Sequence, residues 1–115
     1  MQHPDEIELI FYQTASGKEP FDKWFRKLGG RQQAIVLERL DRITAGNEGD
    51  YKMLKGGIIE YRIYGAGLRI YAGRLSGASR LVLLGGGKGG GKGKGAQQKD
   101  IVKAIDYWND YLDNN

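Results

Sequence analysis

The chain has no cysteine, one histidine and no long apolar run. Without cysteine there can be neither a disulfide framework nor a thiolate zinc site, and nothing argues for an oxidising compartment. The lone histidine, His3, sits near the start of the chain, where no second histidine or spaced carboxylate cluster joins it. Neither a resident metal nor another cofactor is therefore expected. A serine triad needs a placed histidine as its base, and none is available. No segment is apolar enough to span a bilayer and no secretory leader pattern is present, so a cytoplasmic protein without a membrane partner is expected.

What is there suits one domain, residues 1–115, with one core. There are 18 Lys and Arg against 14 Asp and Glu, a net charge of +4 that permits a polyanionic partner. Residues Glu6 to Tyr12 read as a first strand, with Ile7, Ile10 and Phe11 as its apolar positions. Glu19-Pro20 opens a helix, because Pro fits the first helical position, where an N–H has no partner anyway. Phe21, Trp24 and Phe25 form its apolar stripe, and Gly29-Gly30 ends it. A second helix is expected from Arg31 to Thr44, with Val36, Leu40 and Ile43 on one face and Leu37 beside them. Gly49 to Lys55 reads as a loop. Arg80 to Leu84 has no alternation and reads as a central strand buried on both faces. Gln97 to Leu112 reads as an amphipathic helix, with Ile101, Ile105, Trp108 and Leu112 on the stripe that packs on the sheet.

The chain is organised around Gly57 to Tyr71, two strand-forming runs separated by Gly65-Ala66-Gly67, a hairpin signal. Ile59, Tyr61 and Ile63 fall on one face, and Glu60, Arg62 and Tyr64 on the other. Leu68 and Ile70 alternate with Arg69 and Tyr71. The apolar face can bury against helices, while the arginine face is expected to stay open. Two guanidiniums side by side repel unless something anionic sits between them. Two readings stay open: a solvated charged face, or a cationic site. The second would unite Lys52, Lys55, Arg62, Arg69 and Lys88, with Glu60, Tyr61, Tyr64 and Tyr71 nearby. Such a set can hold phosphates, and its rings can stack on bases. RNA carries its own nucleophile, the 2′-OH, so its cleavage asks mainly for positioning and charge stabilisation.

Gly85 to Ala96 is a glycine–lysine run that fits G-x-x-x-x-G-K over Gly86 to Lys92, but Gly93 stands where a phosphate loop needs Ser or Thr. It also fits G-x-G-x-x-G from Gly85 to Gly90, as so glycine-rich a run does by chance. The plain reading is a flexible loop over residues 85–96. Between the two stands a cationic flap that brings Lys88, Lys92 and Lys94 over the sheet. The element order is β-α-α-β-β-β-α, an α+β fold.

The residues also carry a resemblance. Phe21-Asp22-Lys23-Trp24-Phe25, Arg39-Leu40-Asp41-Arg42-Ile43, Gly46-Asn47-x-Gly49-Asp50, Lys52, Glu60-Tyr61-Arg62-Ile63, Gly67-Leu68-Arg69-Ile70-Tyr71, Leu83-Leu84-x-Gly86-Gly87, Lys88 and Gln98-Lys99-Asp100-Ile101 follow in the order and spacing of one family. The chain resembles the RelE/ParE toxin superfamily, in its branch of HigB-like addiction-module killer proteins. The resemblance implies a small antiparallel sheet with two N-terminal helices packed on it and a C-terminal helix. It implies the toxin of a type II toxin–antitoxin module, an endoribonuclease (mRNA interferase) that cuts mRNA on the ribosome. Its partners would be that mRNA and a cognate antitoxin, a helix-turn-helix protein. By the same resemblance Arg62, Arg69 and Lys88 would be catalytic, while the cationic face and the flap put Lys52, Lys55, Tyr64, Tyr71, Lys92 and Lys94 in contact with RNA. Two positions depart from the pattern: Glu60 stands where RNA-cutting relatives have a basic residue, and the glycine–lysine run is expanded. The alternatives are a gyrase-directed toxin of the same fold and a basic RNA-binding module without catalysis.

Overall fold

A computed structural model describes residues 6–75, 79–88 and 94–115. His3 and Lys92 lie outside the described residues. The elements are β1 (Glu8–Phe11), α1 (Pro20–Arg26), α2 (Gly30–Thr44), β2 (Tyr51–Met53), β3 (Ile58–Ile63), β4 (Leu68–Arg74), β5 (Arg80–Lys88) and α3 (Lys94–Asn114). The α+β class is as expected from sequence. The sheet has five strands in the order β1-β5-β4-β3-β2. Two details correct the expectation. The segment read as a loop before the hairpin holds β2, antiparallel to β3. And the sheet is mixed, because β1 runs parallel to β5.

Each helix forms where its stripe predicts. Pro20 opens α1, and Phe21 is buried with Trp24 and Phe25 packed against the same cluster. In α2, Val36, Leu40 and Ile43 are buried, but Leu37 points outward. Both helices cover the sheet face that carries Ile59, Tyr61, Ile63, Leu68, Ile70, Leu81 and Leu83. Helix α3 covers the opposite face, over Ile58, Tyr71, Val82 and Leu84, through Ile101, Ile105 and Trp108. Leu112, placed on that stripe by periodicity, is exposed. The arginine face is therefore not left fully open: α3 lies on it. Among the described residues no helix is long and apolar enough to cross a membrane.

The expected loop over residues 85–96 is also corrected. Gly85 to Lys88 continue β5, and Lys94 to Ala96 open α3. Only residues 89–93 of the run lie outside the described residues. A bulge makes this extension work. Tyr71 pairs with Gly85 and Ala72 with Leu83, so Leu84 is an extra residue and side-chain direction flips beyond it. Gly86 then turns toward α1, where a Cβ would come within 2.4 Å of the Trp24 ring. On β4, a Cβ at Gly73 would come within 2.3 Å of the Trp108 ring. The two indoles lie directly on backbone, and only glycine leaves them room.

Candidate functional site

The pleat and the hairpin register assemble the site. In the β3–β4 ladder Arg62 stands across from Arg69 and Glu60 across from Tyr71. In the β2–β3 ladder Lys52 stands across from Glu60. Paired residues point to one side of a sheet, so Lys52, Glu60, Arg62, Arg69 and Tyr71 share the face that α3 partly covers. Like charges directly opposite destabilise a ladder. The chain resolves this with its own anion. Glu60 Oε1 lies 2.8 Å from Arg69 Nη1 and 3.3 Å from Arg62 Nε. From α3, Gln97 Nε2 donates to Glu60 Oε2 at 3.1 Å.

Glu60 is only 1% exposed. Burial alone pushes its carboxyl up, but the bonds from Arg69, Gln97 and Arg62 outweigh that and hold it below the ordinary carboxylate range. It is ionised at neutral pH and braces the two guanidiniums. The arginines differ in access, with side-chain exposures of 29% for Arg62 and 17% for Arg69. Arg62 reaches the rim, where its Nη1 donates to the hydroxyl of exposed Tyr64 at 3.2 Å. Arg69 sits deeper, and its Nε is buried with no hydrogen-bond partner among the described residues. The Tyr71 hydroxyl is likewise buried, with no partner among the described residues. Burial, then the nearby charges of Glu60 and Asp100, push the Tyr71 phenol well above its usual range, so it stays protonated. Buried polar atoms of this kind are rare and mark strain or a missing partner.

The remaining residues expected at the site divide. Lys55 is exposed in the turn Lys55–Gly57, outside the arginine pair. Lys88 ends β5 across from Leu68, so the pleat turns it to the side opposite Arg69. Lys94 is the first residue of α3. Tyr71, expected to offer its ring to bases, is buried beneath α3 and presents no open stacking surface. Two neighbours, Gln97 and Asp100, were given no site role from sequence. Gln97 bonds Glu60; Asp100 lies so close to Gly87 that a Cβ there would come within 2.3 Å of its Oδ2; and burial raises the Asp100 carboxyl, opposed by Lys103. Periodicity marked that helix from Gln97 onward, but not that its polar first turns return to the hairpin. Other basic side chains are structural. Arg39 donates to the carbonyl oxygens of Glu48, Asp50 and Arg62, tying α2 to the hairpin. Arg74 and the Tyr61 hydroxyl share Glu48.

No family model matches the chain. A protein of Haemophilus influenzae, described only as uncharacterised, is 38% identical over 86 residues, covering 73% of this chain and 81% of that protein. Among solved structures, the isolated E. coli RelE toxin superposes with a TM-score of 0.57 at 15% identity, over 84% of this chain and 98% of that one. An identity that low speaks for the fold alone. The chain thus belongs to the family of the Haemophilus influenzae protein, and it has the RelE-like fold.

Proposed function

We propose that this single domain is the toxin of a type II toxin–antitoxin module, a cytoplasmic HigB-like endoribonuclease that cuts mRNA on the ribosome and is silenced by a cognate helix-turn-helix antitoxin. The observation that carries this reading is the cross-strand pair Arg62–Arg69, braced by Glu60 on the face of a RelE-like sheet. In the proposed reaction the 2′-oxygen of one nucleotide attacks the adjacent phosphorus. The O2′–P bond forms, the P–O5′ bond breaks, the 2′ proton is lost and the leaving 5′-oxygen gains one. The products are a 2′,3′-cyclic phosphate and a 5′-hydroxyl. Charge builds on the phosphoryl oxygens along the way, and a preset guanidinium stabilises that charge without reorganising. Arg62, at the rim, is the nearer donor, and Arg69 supports it from below. Lys52 and Tyr64 flank the pair for contacts to backbone and base, and Lys88, turned to the other face, has no part in the proposed site. Glu60 serves as a positioning residue.

A second reading, RNA binding without cleavage, is favoured by that same Glu60, because a carboxylate between two arginines cancels part of the charge a transition state would use. One experiment separates the two. The protein is induced, and mRNA ends are mapped with and without translation. Cuts confined to translated message support the nuclease. Salt-sensitive RNA binding with no cuts supports the binder. Gyrase-dependent DNA breaks would overturn both.

A further inference from the structure

Strand β1 accompanies β5 only from Arg80 to Leu83. Beyond that point, among the described residues, β5 has no strand on its outer side. A cleft of about 790 Å³ opens there, with Leu84, Gly85 and Gly86 as its floor and with α1 and α3 as its walls. Cations come from both sides. Lys18 and Lys23 stand before and within α1, Lys27 just after it, and Lys103 on α3. All four are exposed. The cleft also holds carboxylates: Glu19, Asp100, and Asp22, which pairs with Arg26 at 2.8 Å. Among the described residues the unpaired charge is therefore positive, and Trp24 and Tyr107 supply aromatic surface between the lysines. Tyr71, whose buried hydroxyl has no partner among the described residues, lies in the inner wall.

Tyr71 is also the cross-strand partner of Glu60, so the cleft adjoins the arginine site through one residue. Asp100 makes the same link, lining the cleft while touching the position of Gly87, which pairs with Arg69. Cations interleaved with aromatic rings form the kind of groove that follows a single-stranded nucleic acid backbone. The volume suits one or two nucleotides, since ligand pockets run about 300–1,000 Å³.

We infer that this cleft is a second RNA subsite, which holds nucleotides flanking the one at Arg62 and Arg69; it rests on the reading of the arginine face as an RNA site. Lys23 and Lys103 grip the backbone from opposite walls. Trp24 and Tyr107 meet a base, and Asp100 presents an acceptor at the inner end.

The test is the affinity of a short 2′-O-methylated RNA, which cannot be cleaved, for the whole protein and two variants: the double variant Lys23→Ala/Lys103→Ala, and Arg62→Ala. Unchanged melting temperatures establish that the variants fold, since both lysines lie on the surface. The expected result is about a tenfold loss of affinity in the double variant, with the salt slope reduced by about 0.7 per lost contact. If the double variant binds as well as the parent while Arg62→Ala is weakened, the subsite is refuted and the arginine site stands. Loss in the double variant alone keeps the cleft as an RNA site but removes the arginine site. Loss in neither refutes both. Binding of an oligoglutamate that depends on Lys23 and Lys103, with RNA affinity unaffected, overturns the inference in favour of an acidic protein segment.

Discussion

Glu60 decides more than either arginine it holds. An acid whose pKa is depressed in the folded chain contributes stability above its unfolded pKa, about 4.3 for Glu, and loses that contribution as pH falls through the lower folded value. Urea unfolding from pH 6 downward should therefore show a steeper loss of stability in the parent than in Glu60→Gln, with the difference arising below the ordinary carboxylate range. Equal slopes would show that Glu60 is not held by its partners. The arginines should then behave differently from each other. Removing Arg69 leaves a 1% exposed carboxylate short of its closest partner, which typically costs about 3–5 kcal/mol of stability. Arg69→Ala therefore confounds folding with function. Arg62 is more exposed, so Arg62→Ala should fold nearly as well as the parent. It should lose about 2.7–4 kcal/mol of transition-state stabilisation, read as a fall of two to three orders of magnitude in cleavage rate. An unchanged rate in folded Arg62→Ala removes it from the site.

At the level of elements, α3 is held by an indole on bare backbone. A methyl at Gly73 meets the rigid Trp108 ring at 2.3 Å, whereas one at Gly87 meets the flexible Asp100 carboxylate at the same distance. Gly73→Ala should displace α3 and cost about 1–3 kcal/mol, the range for overpacking, while Gly87→Ala should cost less because Asp100 can swing away. Chemical denaturation of the two variants checks the order, and equal costs would mean that α3 yields freely. A second tie is the Tyr12 hydroxyl, which donates to Asp110 at 2.6 Å. Tyr12→Phe should lose about 1 kcal/mol in the same assay. Helices were legible because Val36, Leu40 and Ile43 recur at helical spacing. Strand β2 was not, because Tyr51, Lys52 and Met53 are all exposed and its placement comes from the partner strand. In sequence Gly85 to Gly87 read as loop because glycines have no side-chain period: the same letters serve a linker or a strand, and only the bulks of Trp24 and Asp100 show which. The arginine pair was legible from alternation. Its closure by Gln97 depends on a contact far along the chain, which no local pattern encodes.

For the whole molecule, α3 and the arginine pair share one sheet face, so whatever covers that face must contend with both. An antitoxin that silences the proposed activity should compete with RNA there and bury upwards of about 1,000 Å². Titrating RNA binding against rising antitoxin checks this. Simultaneous binding at undiminished affinity would move inhibition to another surface. The parallel pairing of β1 with β5 has a further consequence, during synthesis. Its register sets Glu8 beside Arg80. Strand β1 leaves the ribosome ahead of the helices and the hairpin, and its partner β5 follows only after them. Such distant pairings pay their closure entropy before any contact repays it, and they form late. Gln97 and the rest of α3 emerge later still. A nascent chain can thus carry a finished hairpin whose carboxylate is still solvated and whose arginines are not yet braced. The proposed catalytic face matures only after the last of these elements has emerged, which gives a newly made chain an interval without that geometry beside the ribosome that produced it.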